Sequence, residues 1–229
     1  MHVPDGFLNL GTSAATGVVA TAAVALALRG ARRELDDRTA PLAGLVATFV
    51  FAAQMVNFPI AAGTSGHLLG GALAAVLVGP YTATLCITVV LLVQALLFAD
   101  GGLTALGTNV TLMAVVGVWV GYAVFRAAVR LLPRRSGMIP VAAGVGGLAS
   151  VPASAGVFAL LFSIGGAAPI SLSTLLAAMV GVHTVIGVGE AVITGLVVAS
   201  VLALRPDLVR GAAGLHVARP LEIRTEARV

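Results

Sequence analysis

Long apolar segments separated by short polar loops dominate this sequence. Most of these segments approach or exceed the roughly 20 residues that an α-helix needs to cross the hydrocarbon core of a bilayer. They are about twice as long as the strands of a transmembrane barrel. Only 10% of the 229 residues are charged, which is too few to cover the surface of a soluble domain. The sequence therefore predicts an all-α integral membrane protein.

Apolar length and the loops between the segments predict about seven transmembrane helices. We place them at Leu8–Leu28, Pro41–Ile60, His67–Gly79, Tyr81–Phe98, Val110–Ala128, Ile139–Ile164 and Ser171–Leu204. The third has only thirteen residues, about 20 Å of helix, so we expect the Gly-rich loop before it to dip into the protein. The last is too long for one straight crossing and is interrupted by Gly181, Gly187 and Gly189, so we expect it to be kinked, tilted or to start above the membrane.

The basic residues predict the orientation of the chain. All thirteen are Arg, in three clusters at 29–38, 126–135 and 205–228. Seven crossings with the N-terminus outside place every Arg on the inner side, as the positive-inside rule requires. We therefore expect an N-out, C-in protein with one transmembrane domain over residues 1–204 and a short polar cytoplasmic tail over 205–229. The net charge of +4 then has a topological cause and indicates no nucleic-acid partner.

Three ionisable residues lie within or beside the apolar segments. His67 opens the short third segment, and His183 and Glu190 lie seven residues apart on the last one, a spacing that puts them on one helix face. An ionisable side chain inside the membrane is a functional candidate by default. The alternative for His183 and Glu190 is a structural hydrogen-bonded pair that closes the bundle.

The first two residues offer an unusual set of nitrogen ligands. No Arg or Lys precedes the first apolar segment, unlike in a signal peptide, so we expect the mature chain to begin at Met1. The α-amine of Met1, the backbone amide nitrogen of His2 and the His2 imidazole then form five- and six-membered chelate rings around one ion. His67 on the same external side would supply a fourth nitrogen. Such tetragonal nitrogen sites suit Ni(II) and Cu(II) and can accept Co(II).

Other chemistries find little support in the sequence. It has no zinc-hydrolase His-Glu-x-x-His pattern, no Cys pair and no phosphate-binding P-loop. The segment Gly63-Thr64-Ser65-Gly66 matches the Gly-x-Ser-Gly of rhomboid intramembrane proteases, in which case His183 would be the partner of the Ser65 nucleophile. A membrane scaffold whose polar groups only close the bundle is the other alternative.

Several blocks of the sequence resemble one transporter family. They are Met1-His2-Val3-Pro4-Asp5-Gly6-Phe7, residues 53–59 (Ala-Gln-Met-Val-Asn-Phe-Pro) and residues 63–71 (Gly-Thr-Ser-Gly-His-Leu-Leu-Gly-Gly), with weaker matches over 98–107 and 181–190. This pattern resembles the CbiM/NikM family, the substrate-binding membrane components of energy-coupling-factor transporters for cobalt and nickel. The matching blocks extend from residue 1 to about residue 204.

The resemblance implies a fold and a metal site. The fold is a six-helix core with an extra N-terminal helix, and the ion is held by the Met1 amine, the His2 amide and imidazole, and the His67 imidazole. We expect a second set of residues to support or position these ligands: Asp5, Asn57, Ser65, His183 and Glu190. The ion, Co2+ or Ni2+, is the transported substrate, and no organic cofactor is expected.

The resemblance also implies partners. Such a component is not an enzyme and acts with a transmembrane coupling subunit, cytoplasmic ATPase subunits and a small accessory membrane subunit like CbiN or NikN. The tail after Leu204 contains no further apolar segment, so we expect the accessory subunit to be separate or absent. The expected location is a prokaryotic plasma membrane, where cobalt import would supply cobalamin biosynthesis.

Overall fold

The computed structural model describes residues 1–37, 39–60, 65–133 and 135–214, which form a bundle with seven helices of eight or more residues. We number the helices α1 (Leu10–Ala31), α2 (Thr39–Met55), α3 (Gly71–Val78), α4 (Pro80–Leu97), α5 (Leu106–Leu131), α6 (Met138–Gly165) and α7 (Leu172–Leu204). Among the described residues, five helices are long and apolar enough to cross a membrane, namely α1, α4, α5, α6 and α7. Helix α2 is apolar but has only 17 residues.

Local sequence explains where several helices begin, and composition explains their surfaces. The Asn9 side chain accepts from the Thr12 amide at the start of α1, and Ser171 does the same for Thr174 at the start of α7, as N-cap residues do. Pro80 occupies the first turn of α4, where its missing N–H costs nothing. Large apolar side chains such as Val18, Leu96 and Val185 are exposed along the helices, as expected of surfaces that face lipid.

The third predicted span begins later than its sequence suggested. His67 does not open a helix, because residues 67–70 are non-helical and α3 begins only at Gly71. The reason is that Gly70 has a left-handed φ of 73°, which interrupts helical backbone before Gly71, and the Glu190 carboxylate accepts from the N–H groups of Leu69 and Gly70. Helix α3 is about 12 Å long and fully buried, so it is a half-length helix inside the bundle.

A short hairpin before α3 departs from the all-α prediction. Strand β1 (Phe58–Pro59) pairs antiparallel with strand β2 (Ser65–Gly66), with Phe58 opposite Gly66. Most of the Gly-rich loop that we expected to dip into the protein, residues 61–64, lies outside the described residues. Gly66, at its end, is buried.

Helices α5 and α7 are both longer than typical crossings. Residues Val110–Gly117 within α5 form wider π-helical turns, a local variant that often lies at functional sites. Helix α7 is uninterrupted over 33 residues, about 50 Å, so it must tilt or extend beyond a hydrocarbon core of about 30 Å. Its Gly187 does not end the helix: a Cβ there would lie 2.9 Å from the Leu148 carbonyl of α6, so the glycine allows close helix packing.

Both terminal segments pack against the bundle. The Asn9 amide donates to the Gly165 carbonyl, and the Ala167 amide donates to the Phe7 carbonyl, which fixes residues 1–9 against the loop between α6 and α7. At the other end, residues 205–214 follow α7, with Val209 and Ala212 buried. The rest of the predicted tail, residues 215–229, lies outside the described residues, as do Arg38 and Arg134.

Candidate metal-binding site

The N-terminal segment lies along the loop between α4 and α5. The backbone N–H of Val3 donates to Asn109 Oδ1 at 2.8 Å, and the Val3 carbonyl accepts from the Gly102 amide at 3.0 Å and from Asn109 Nδ2 at 3.2 Å. The Asp5 carboxylate accepts from the Thr104 amide and hydroxyl, and these hydrogen bonds lower the pKa of Asp5. The segment is therefore fixed by both its backbone and a side chain.

Close approach of this segment depends on the absence of a side chain at residue 102. A Cβ on Gly102 would overlap the backbone nitrogen of Asp5 and lie 2.5 Å from Asp5 Oδ1. Real Cβ atoms do not make such contacts, so any larger residue here would displace the N-terminal segment.

The Met1 amine is buried against the His67 imidazole. The amine hydrogen-bonds to His67 Nε2, and both residues are 1% exposed. His67 Nδ1 lies 2.7 Å from the Leu68 carbonyl, which can only accept, so the ring proton is on Nδ1 and the lone pair of Nε2 points at the amine. Burial lowers the pKa of the Met1 amine well below 8.0, opposed by the Asp100 carboxylate. Both nitrogens can therefore act as electron-pair donors.

The His2 side chain lies beside His67 and is fixed at both ring nitrogens. The two ring centroids are 4.5 Å apart and the planes meet at 30°. His2 Nε2 donates to Gln94 Oε1 at 3.1 Å, and His2 Nδ1 lies 3.1 Å from Asp100 Oδ1. Because a carboxylate can only accept, a proton or a cation must lie between Nδ1 and Asp100, while Nε2 has a hydrogen-bond acceptor in Gln94 Oε1.

Asp100 belongs to this network, and its position is set by neighbours. Its second oxygen accepts from Asn57 Nδ2 at 3.2 Å, and its amide donates to the Gln94 carbonyl at 3.0 Å. The hydrogen bond from His2 lowers the pKa of Asp100, and burial opposes this shift. A carboxylate therefore lies next to the nitrogen donors and favours positive charge at the site.

The segment that presents His67 is held by two buried side chains from other helices. Glu190 of α7 accepts from the Leu69 and Gly70 amides, each at 2.7 Å, and Gln54 of α2 donates to the Leu69 carbonyl at 2.8 Å. Gly70 has a left-handed φ of 73°. The position of the His67 ring is thus determined by contacts that join α2, α7 and the start of α3.

The remaining predicted residues lie close by but do not form the pairs that the sequence suggested. His183 Nδ1 bonds to the Met179 carbonyl at 2.8 Å and its Nε2 has no partner among the described residues, while Glu190 binds the backbone of residues 69–70. The hydrogen-bonded His183–Glu190 pair is therefore wrong. Ser65 Oγ accepts from the His2 amide at 3.4 Å, so its contact is with the N-terminal segment and not with His183, which disfavours the protease alternative.

Three residues of the network were not predicted as site residues: Gln94, Asp100 and Asn109. Gln94 could be recognised from the sequence as a candidate, because it is a polar residue inside a long apolar segment. Among the described residues, no group of three or more His, Cys, Asp or Glu side chains has the spacing of a metal site. The candidate donors include an amine and a backbone amide, which a search for side-chain ligands overlooks.

Comparison with known proteins identifies the family of the chain. The family model described as CbiM, the cobalt uptake substrate-specific transmembrane region, matches residues 2–208. This chain belongs to the CbiM family.

The CbiM relatives include proteins named for two metals. A cobalt transport protein CbiM of Sorangium cellulosum is 38% identical over 216 residues, which are 91% of this chain and 94% of the relative. A fused nickel transport protein NikMN of Rhodobacter capsulatus is 37% identical over 220 residues, and the match covers 91% of this chain but 63% of the relative. The crystal structure of a truncated transition metal transporter superposes with a TM-score of 0.83 at 32% identity, covering 89% of this chain and 99% of that one.

Proposed function

We propose that this protein captures Co2+ or Ni2+ in the membrane as the substrate-binding component of an energy-coupling-factor transporter. The observation that supports this most directly is the burial of the Met1 amine against the unprotonated Nε2 of His67, with the His2 imidazole beside it. Metal binding would replace the amine–imidazole hydrogen bond, so that one ion joins the two nitrogens that now contact each other. Family membership and the printed names of the relatives support the choice of metals.

In the proposed complex, four nitrogens surround the ion: the Met1 amine, the His2 amide, His2 Nδ1 and His67 Nε2. Loss of the amide proton requires a strongly acidic metal ion, which excludes Mg2+ and Ca2+ as substrates. Gln94 and Leu68 would hold the protonated ring nitrogens away from the ion, as is usual for metal-bound imidazoles. Asp100, held by Asn57, would favour the positive charge of the ion next to His2 Nδ1. Ser65 would position the His2 amide, and Asp5 would position the segment that follows.

The proposal includes an orientation and partners. With the N-terminus outside, the ion enters from the outer face of a prokaryotic plasma membrane, and the arginine clusters lie inside. Coupling and ATPase subunits would supply the energy for uptake, and the cobalt imported would supply cobalamin biosynthesis. The fused name of the R. capsulatus relative supports an accessory NikN-like partner.

The test is calorimetric titration of purified protein carrying a native Met1 and a C-terminal tag. Co2+ and Ni2+ are titrated into this protein and into a variant with Leu-Gly-Pro inserted between Met1 and His2, in which the proline has no amide N–H and so cannot continue a chelate from the amine to His2. The insertion keeps every side chain but moves the amine out of the chelate. We expect the native protein to bind with proton release, and the insertion variant to lose binding by at least about 100-fold. Mg2+ gives no binding in either.

Two controls make the result decisive. The thermal transition without metal must be the same for the native and inserted proteins, which shows that the insertion changes the site and not the fold. His2→Ala and His67→Ala must also lose binding, whereas Thr184→Ala on the exposed side of α7 must not. Equal binding by the native and inserted proteins would exclude the amine as a ligand, and a scaffold predicts that both histidines can be replaced without effect.

A further inference from the structure

A cavity lies at the opposite end of the bundle from Met1. It has a volume of about 630 Å³ and lies between the end of α1, the start of α4 and the middle of α5. Its polar wall contains Arg29, Arg33 and Arg210, and its apolar wall contains Ala23, Leu26 and Val115. Nothing in the proposed metal chemistry uses this cavity.

The charge of the cavity is predominantly positive. Glu34 is buried, and its carboxylate accepts from the Tyr81 amide at 3.4 Å and the Thr82 amide at 2.7 Å, so it caps the start of α4. Arg210 donates to the backbone carbonyls of Arg33 and Glu34. Within the described part of the chain, Arg29 and Arg33 form no ion pair with an acidic residue. The cavity lining thus contains three guanidinium groups and one carboxylate, and that carboxylate already accepts from backbone N–H groups.

Two aromatic residues form a fixed surface between the charged and apolar walls. The Tyr81 ring packs against Gly30, where a Cβ would overlap the ring, and meets the Trp119 ring edge-on with centroids 4.9 Å apart. Trp119 Nε1 donates to Thr84 Oγ1 at 3.2 Å. Tyr and Trp with neighbouring Arg are typical of the level at which a membrane protein meets lipid headgroups.

We propose that this cavity binds an anionic phospholipid, with the headgroup phosphate between Arg29 and Arg33 and an acyl chain along the apolar wall. A phosphate complements the two unpaired guanidinium groups, and basic pockets between transmembrane helices recognise such headgroups. The apolar wall favours a lipid over a soluble phosphate, because an acyl chain would cover Leu26, which is 59% exposed. A phosphate with no acyl chain would leave that wall uncovered.

The experiment compares two variants that lose the same charge. Arg29→Gln/Arg33→Gln removes the proposed ligands, and Arg126→Gln/Arg130→Gln removes two exposed arginines of α5 that do not line the cavity. Native mass spectrometry of the full chain measures retention of phosphatidylglycerol against phosphatidylcholine. We expect the first variant to bind phosphatidylglycerol at least about tenfold more weakly, since each Arg near a headgroup contributes about fivefold. The second should change binding by less than about twofold.

Three outcomes would overturn the proposal. An equal loss in both variants would mean a general charge effect. Displacement of phosphatidylglycerol by millimolar inorganic phosphate would make this a soluble-anion site. No preference for phosphatidylglycerol in the unmodified protein would mean that another occupant, such as a partner chain, fills the cavity. Co2+ binding serves as the folding control, because both pairs of arginines lie far from Met1 and should leave it unchanged.

Discussion

Each of the two imidazoles at the candidate site has one ring nitrogen that is hydrogen-bonded to a carbonyl oxygen. His67 Nδ1 bonds to the Leu68 carbonyl and His2 Nε2 bonds to the amide oxygen of Gln94. Each contact holds one N–H of its ring, which in the proposed complex leaves the other ring nitrogen to bind the ion. A neutral acceptor achieves this without adding charge to the buried site, and Asp100 supplies the one carboxylate that contacts His2.

The role of Gln94 leads to a prediction about metal affinity. Gln94→Leu keeps the size of the side chain but removes the acceptor for His2 Nε2, so the ring can adopt the other tautomer or rotate. We expect Co2+ affinity to fall by about 10- to 100-fold, the usual effect of losing such a partner, as measured by calorimetry. Gln94→Glu keeps an acceptor at the same position and should retain most of the affinity. Unchanged affinity in Gln94→Leu would show that the hydrogen bond does not position the ligand.

At the scale of single residues, the sequence indicated the candidate ligands better than their supports. The nitrogens of Met1 and His2 follow from chemistry at a chain terminus, and the predicted topology added His67, which the resemblance then supported. Gln94 and Asp100 were missed because their partners are 92 and 98 residues away along the chain, and no local pattern records such a contact. Gln94 could have been noticed as a polar residue in an apolar segment, since such residues are costly in a membrane.

Among the structural elements, the segment from β2 to the start of α3 was the hardest to predict. Two-residue strands have no periodicity, so Phe58–Pro59 and Ser65–Gly66 gave no strand signal. The late start of α3 follows the left-handed backbone of Gly70, and the Glu190 carboxylate that binds the Leu69 and Gly70 amides lies more than a hundred residues further along the chain. No local propensity can reveal such a contact.

Glu190 therefore makes a testable contribution to this segment. Glu190→Gln replaces one acceptor oxygen by an NH2 group that would face the amide of Leu69 or Gly70, leaving a buried donor unsatisfied. We expect the free energy of unfolding to fall by about 1–3 kcal/mol, with weaker Co2+ binding because His67 is displaced. Chemical denaturation and calorimetry measure the two effects. Thr184→Ala on the same helix is the control, and wild-type behaviour of Glu190→Gln would contradict the role of the carboxylate.

The loop between α4 and α5 gives a second prediction at this scale. Gly102→Ala places a Cβ on the backbone of Asp5 and should push the N-terminal segment out of its position. We expect metal binding to be lost while the helical content stays the same, as measured by calorimetry and circular dichroism. Gly156→Ala in α6 meets no atom within 4 Å and should bind metal normally. If Gly102→Ala also binds normally, the segment does not need this close approach.

At the scale of the whole molecule, the two candidate sites lie at opposite ends of the helical bundle. Apolar length predicted most of the crossings, because a bilayer imposes the same minimum length on every lipid-facing helix. It could not predict that α3 is a half-length helix, because a fully buried helix need not span the bilayer. The expected long final segment is present as α7, and its Gly187 allows close packing against α6.

Metal binding should stabilise the entire bundle, since the proposed ligands join the N-terminal segment to the segment before α3. At a Co2+ concentration 100 times the Kd, the free energy of unfolding should rise by about 2.7 kcal/mol, a Tm increase of about 5–10 °C. Scanning calorimetry measures this, and hydrogen exchange should show slower exchange at residues 2–9. A chelator should reverse both effects, and Mg2+ should produce neither. Bound metal with an unchanged Tm would place the ion away from this junction.

The buried contact between the Met1 amine and His67 has a consequence at the level of the gene. Under the proposed function, the start codon determines the metal site, because the residue at which translation begins supplies the amine that contacts His67. A retained acyl group on the first residue removes that amine as a donor, and a purification tag placed ahead of Met1 moves it elsewhere. Either change yields a protein with every side chain intact that cannot recognise its ion. The start of translation and N-terminal processing would therefore determine whether the protein binds its metal, as a mutation of a ligand side chain would.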